Sequence, residues 1–139
     1  MKSMVQIAEE VALIGPRIGR KMLADINQVV DLPQAQLFVI MMLFHQGPKR
    51  AADISCEMKV SAPTATGIIT RLEKAGLVTR VIAPSDRRMV MVEMTPQGTK
   101  LAEQLRGRIV TRWTEILSRL SRDDAQKYLE LLKKMSEGL

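Results

Sequence analysis

The 139-residue sequence predicts a mainly helical chain with one small β-hairpin, an α+β class, and three observations lead there. Apolar residues recur at helical spacing through both ends of the chain. A central block holds short helices, each with its own start and stop signals. Behind them lie two short apolar runs, "GLVTRVI" and "MVMVEMT", with the proline turn "APSDRR" between them.

The first segment places Ile7, Val11, Ile14, Ile18, Met22, Ile26 and Val29 at steps of three or four, a helical stripe. Gly15-Pro16 predicts a kink within it, because proline removes one backbone hydrogen bond. So thin a stripe needs a partner helix. "DLPQAQLFVIMMLFHQGPKR" has proline in its first turn and stops at Gly47-Pro48. "KRAADISCEMKV" reads as a short helix with Ala51 or Ala52, Ile54 and Met58 inward. Ser61 offers an N-cap, and Pro63 sits in the first turn of "APTATGIITRLEKAG". There Ala65, Ile68, Ile69, Leu72 and Ala75 form the buried stripe, and Gly76 closes the helix.

Two short helices separated by a tight turn have helix-turn-helix spacing. Strands are expected at Leu77–Ile82 and Met89–Thr95, joined by "APSDRR". The next helix aligns Leu101, Leu105, Ile109, Trp113, Ile116 or Leu117, and Leu120 on one face. Ser121 caps a last helix, with acids in its first turn and lysines near its end, as the helix dipole favours. The expected architecture is a winged helix-turn-helix lobe at 33–95. Residues 1–32 and 96–139 supply a helical dimerisation layer.

Composition narrows the function. At 46% hydrophobic and 26% charged, the chain is expected to fold rather than stay disordered. No apolar run approaches the roughly 18–20 residues that span a bilayer. The first residues, "MKSMVQIAEEVALIG", put glutamates where a signal peptide needs apolar side chains, so a cytoplasmic protein with no membrane partner is expected. A single cysteine, Cys56, allows no internal disulfide, and a single histidine, His45, gives no ordinary metal cluster. With no glycine-rich phosphate loop either, neither enzyme chemistry nor a cofactor is expected. The net charge of +6 permits a polyanionic partner but, being spread along the chain, does not locate its site. Ten methionines and 3% aromatics imply a deformable aliphatic core.

With these pieces in order, the sequence resembles the MarR family of winged-helix transcriptional regulators over nearly its whole length. "LPQAQLFVIMMLF" looks like the family's second helix, and "AADISCEMKVSAPTATGIITRLEKAGLVTR" like its helix-turn-helix. "SDRRMVMVEMTPQG" looks like the wing and the Thr-Pro-x-Gly entry to the following helix. The wing's Asp-x-Arg, here Asp86 and Arg88, is the most specific part. The resemblance implies a homodimer on pseudo-palindromic double-stranded promoter DNA. It also implies repression that is relieved by a small ligand or by oxidation.

On that resemblance, residues 61–75 form the recognition helix. Its apolar stripe turns inward, so Pro63, Thr66, Gly67 and Thr70 face the major groove, with Thr64 and Arg71 on the flanks. Ser61 and the first-turn amides are candidate phosphate ligands. Arg88 is the wing arginine for the minor groove, Asp86 pairs with its guanidinium, and Arg87 meets phosphate. Many family members carry a basic residue where this chain has Gly67 and an acid where it has Thr70, so modest direct readout is expected.

Cys56 is expected to be an ordinary helix residue, because the family's peroxide sensors place their cysteine near the N-terminus. His45 is expected at the surface. Met41, Met42, Met89, Met91 and Met94 are expected in the core, some of them lining an effector pocket for a small aromatic or apolar molecule between the two layers. Trp113 is expected to anchor the dimer layer, and Arg106, Arg108 and Arg112 to form a solvated helix face. Two other readings stay open: a winged-helix protein–protein adaptor, which would not need paired wing arginines, and a weakly specific architectural DNA-binding protein.

Overall fold

The computed structural model describes residues 1–139. Six helices and a small sheet follow in the order α1 (Met4–Val29), α2 (Gln34–Gln46), β1 (Lys49–Arg50), α3 (Ala51–Met58), α4 (Ala62–Lys74), β2 (Val78–Ala83), β3 (Asp86–Met94), α5 (Pro96–Leu117) and α6 (Arg122–Ser136). The chain divides into two compact units, Asn27–Leu105 and Met1–Ile26 with Arg106–Leu139. No single helix is long and apolar enough to cross a membrane.

The central unit is built around one aliphatic core. Val39, Ile40 and Leu43 of α2 meet Ile54 of α3, Ile68, Ile69 and Leu72 of α4, and Val78 and Val92 of the sheet. Each large aliphatic side chain withdrawn completely from water contributes about 1.5–3 kcal/mol before entropy is charged against it. Ile40, Ile54, Ile69 and Leu72 are all in that class. The α3–α4 turn is closed by the Ser55 hydroxyl donating to the Val60 carbonyl at 2.7 Å, with Lys59 in the left-handed region at φ 56°.

The sheet has three antiparallel strands in the order β1-β3-β2. Two residues, Lys49 and Arg50, form the third strand against Val92 and Met91, and a pair this short leaves no periodic trace in a sequence. The hairpin is tighter than expected. Ala83 pairs with Asp86, so only Pro84 and Ser85 form the turn, and Asp86–Arg88 belong to β3 rather than to a loop.

Other boundaries move for local reasons. Ala75 is exposed instead of completing the α4 stripe, because the helix ends at Lys74 and Ala75 is its C-cap. Leu120 lies beyond the end of α5 and is exposed. Pro16 lies inside α1, which continues through it to Val29. Gly76, at φ 76°, closes α4 as expected.

In the terminal unit no residue of α1 or α6 is buried. Val11, Leu13 and Ile14 on α1 are largely exposed, as are Leu131 and Met135 on α6. Trp113 packs on Tyr128, their ring centroids 6.2 Å apart, which ties α5 to α6.

Arg112 does not lie on a solvated face. Its guanidinium grips Asp25 of α1 through two hydrogen bonds, one of them 2.7 Å long, and a third reaches Glu115 at 3.0 Å. Both members of the pair are mostly covered, with side chains 28% and 17% exposed. The signal was hidden because the partner lies 87 residues away.

The hydrogen bonds from Arg112 hold the Asp25 carboxyl below the usual aspartate range, against an opposing push from burial. A lowered folded pKa means that the pair's stabilisation is present above the ordinary value of 3.8 and is lost as the pH falls through the lowered one. Asp25→Asn is therefore expected to lower the denaturation midpoint at neutral pH and to narrow its gap from the parent in strong acid. Urea unfolding across that range checks it, and a gap that stayed constant would remove the ion pair from the explanation.

Candidate nucleic-acid interface

Helix α4 starts where a serine can replace a missing helical partner. The Ser61 Oγ accepts the Thr64 amide at 3.2 Å, which satisfies one of the amides that a helix start leaves open. The same hydroxyl donates to Thr64 Oγ1 at 2.8 Å. Its only proton is thus spent inside the protein, and Thr64 keeps a free hydroxyl proton at the helix start. Pro63 has no amide to lose in the first turn.

Beyond the cap, the inward stripe is Ala65, Ile68, Ile69 and Leu72, all buried. That forces the intervening side chains outward. Pro63, Thr64, Thr66 and Arg71 are exposed, and Gly67 and Thr70 are half-covered. Nothing stands within 4 Å of where a Cβ on Gly67 would be, so the helix surface there is open. The helix presents hydroxyls, one glycine and a flanking arginine, a face of low charge and modest relief.

The wing follows from the tight turn. Asp86 Oδ1 accepts the backbone amide of Arg88 at 2.9 Å and approaches its Nε only at 3.5 Å. The first is a sound hydrogen bond and the second is at the outer limit. Asp86 therefore fixes the backbone of the strand start more than it grips the guanidinium. The Arg88 side chain is 93% exposed, and Arg87 beside it is exposed as well. Two exposed cations thus stand just beyond a two-residue turn, where the β2–β3 register is interrupted between Ile82 and Ala83.

One residue that the sequence reading passed over sits between helix and wing. Arg80 on β2 donates to Glu73 Oε1 at 2.6 Å and to Thr70 Oγ1 at 3.3 Å. Both acceptors lie on α4, so the root of the wing is tied to the helix by one side chain. The available signal was Arg80 on a strand next to a helix ending in "RLEK", but only the fold shows that they meet.

Also in the central unit, Phe38, Met41, Met42 and Met58 line an open cavity of about 440 Å³ together with His45, Gln46 and Glu57. Phe38 is largely exposed, and His45 is exposed with its ring edge-on to Phe44. Met89, Met91 and Met94 are half-buried along β3. The carboxyl of Glu57 is held below its usual range by hydrogen bonds from Gln46 and Lys49, so it stays ionised. Cys56 is exposed on α3.

Known proteins are similar to this chain in sequence and in architecture. A family model described as MarR family matches residues 32–90, from just before α2 into the wing strand β3. The HTH-type transcriptional regulator FarR of Neisseria gonorrhoeae is 31% identical over 112 residues, which is 81% of this chain and 76% of that protein.

The chain belongs to the MarR family.

Among solved structures, the transcriptional regulator Tm0710 of Thermotoga maritima is 30% identical and superposes with a TM-score of 0.64, covering 95% of this chain and 90% of that one. NadR, solved in complex with 4-hydroxyphenylacetate, is 27% identical with a TM-score of 0.72, covering 96% of this chain and 93% of that one. The MarR assignment makes this protein a DNA-binding transcriptional regulator and not an enzyme. Its winged helix-turn-helix is the architecture expected from the sequence.

Proposed function

We propose that the protein is a homodimeric repressor that binds pseudo-palindromic promoter DNA and is released by a small apolar or aromatic effector. The observation that carries the DNA reading is the wing. Arg88 is presented to solvent on a backbone already fixed by Asp86, so docking has to order its side chain but not the strand that carries it. In this reading α4 lies in the major groove with Pro63, Thr66, Gly67 and Thr70 toward the bases. The Thr64 hydroxyl, the amides near Ser61, Arg71 and Arg87 meet phosphate. Arg88 enters the minor groove, where narrow A·T-rich stretches concentrate negative potential.

The division of labour is 33–95 for DNA and 1–32 with 96–139 for dimerisation. The uncovered apolar side chains of α1 and α6 support the second assignment, because a single protomer leaves Val11, Ile14, Leu131 and Met135 in water. For the effector, the NadR complex supplies the precedent of an aromatic ligand. Here the methionine-lined cavity beside α2 has the size of a small-molecule site. At its rim the Glu57 carboxylate is paired with Lys49 at 3.2 Å, which leaves little net charge there and suits an uncharged apolar molecule.

Selection from a random-sequence duplex library tests the reading. A two-fold motif is expected, with half-site centres one helical turn apart, about 10 bp. A best site without two-fold symmetry would defeat the dimer on DNA. The absence of any motif would favour the architectural alternative.

A further inference from the structure

We propose that Arg80 is a specificity-determining positioning residue, which takes one lone pair of the Thr70 hydroxyl and so biases that hydroxyl to donate a hydrogen bond toward the bases. The proposal rests on the reading of α4 as the recognition helix. Arg80 itself belongs to none of the contacts inferred above.

The geometry is that of a clamp. Arg80 lies on β2 opposite Val92, and its side chain is 30% exposed where that of Arg88 is 93% exposed. Glu73 anchors the guanidinium at 2.6 Å, and the remaining arm reaches Thr70 Oγ1 at 3.3 Å. Thr70 and Glu73 are three residues apart and so share one face of α4. A guanidinium has donors only, so the Thr70 oxygen accepts from it.

The hydroxyl proton is left over. A threonine inside a helix commonly spends that proton on a carbonyl one turn back, as Thr114 does on Val110 at 2.8 Å. Thr70 makes no such bond; its hydrogen-bond partner is Arg80. Its proton is therefore free for an outside acceptor, while one of its two lone pairs is taken and the guanidinium beside it disfavours the approach of a second donor.

A hydroxyl biased toward donating reads the major groove selectively. It suits N7 or O6 of guanine, N7 of adenine or O4 of thymine, and it is mismatched to the amino groups of cytosine and adenine. Without Arg80 the hydroxyl turns freely and accepts as readily as it donates. Arg80 thus enforces discrimination at a base pair that it does not touch. Because Glu73 neutralises it, Arg80 adds little to the attraction of the phosphate backbone.

The test compares the parent with Thr70→Val, Arg80→Met, their double variant and Glu73→Gln. Each is titrated with the selected duplex and its single-base variants over a range of salt. Thr70→Val and Arg80→Met are expected to relax the preference at the same base pair by roughly two- to tenfold, and the double variant no further. The salt dependence is expected to stay that of the parent. Glu73→Gln, on an exposed side chain, is expected to relax the same pair by less, and it decides the matter if Arg80→Met does not fold.

Three results would overturn the proposal. If Arg80→Met lowers the salt slope by about one and leaves the preference intact, Arg80 is a phosphate ligand. If Thr70→Val relaxes the preference but neither Arg80→Met nor Glu73→Gln does, Thr70 reads DNA without the clamp. If Thr70→Val changes nothing, the placement of Thr70 on the bases fails, and the role of Arg80 fails with it.

Discussion

Arg88→Ala is expected to weaken binding to the selected duplex about tenfold or more, and most at sites with A·T-rich flanks. The loss has two sources. One positive charge leaves the DNA-facing surface, which lowers the slope of log affinity against log salt by about one. A planar cation that fits a narrow groove also disappears, which makes the loss depend on flanking sequence. Arg87→Ala, the phosphate-facing neighbour in the proposed reading, is expected to lower the slope similarly with little dependence on the flanks. Equal flank dependence in the two variants would mean that the wing does not enter the minor groove.

Asp86 separates two roles within the same experiment. It accepts the Arg88 amide at 2.9 Å but meets the guanidinium only at 3.5 Å. Asp86→Asn keeps an acceptor for the amide and is expected to bind DNA at least as well as the parent, since it removes a negative charge beside phosphate. Asp86→Ala loses the acceptor and is expected to bind less tightly than Asp86→Asn. If both variants bound equally poorly, the carboxylate charge would be what orders Arg88.

The sequence was most readable where a local rule decides the structure. Ser61 and Ser121 cap helices because their hydroxyls reach the amide three residues on, and each bond is present. The α4 stripe from Ala65 to Leu72 is set by helical periodicity, which fixes in turn which residues face outward. The reading failed where distant segments meet. Arg112 was placed on a solvated face because nothing near it in sequence announces Asp25. Arg80 was passed over because its partners, Thr70 and Glu73, lie on another element. Lys49 and Arg50 become a strand only because β3 offers them an edge. Ion pairs and edge pairing are properties of the assembled fold, whereas caps and stripes belong to the chain.

Gly98→Ala is expected to be the most disruptive single-methyl change in the central unit, at about 3 kcal/mol or more. The reason lies in the Thr-Pro-x-Gly entry to α5. Thr95 Oγ1 donates to the Gly76 carbonyl at 2.6 Å and accepts the Gly98 amide at 3.0 Å, so one hydroxyl joins the end of α4 to the start of α5. That junction draws Gly98 against Leu77. A Cβ on Gly98 would stand 2.0 Å from the Leu77 carbonyl oxygen and 2.9 Å from its carbon. Both atoms are backbone at the root of β2, so no side-chain rotation relieves the clash. Either α5 withdraws and the Thr95 bonds break, or the root of the wing shifts. Gly67→Ala is the matched control, because nothing lies within 4 Å of its Cβ position and it sits inside α4. There the added methyl is expected to stabilise the helix by about 0.5–1 kcal/mol. Urea midpoints of the two variants should therefore move in opposite directions. A parent-like midpoint for Gly98→Ala would show that the α5 entry yields easily and that the Thr95 junction does not hold helix and wing together.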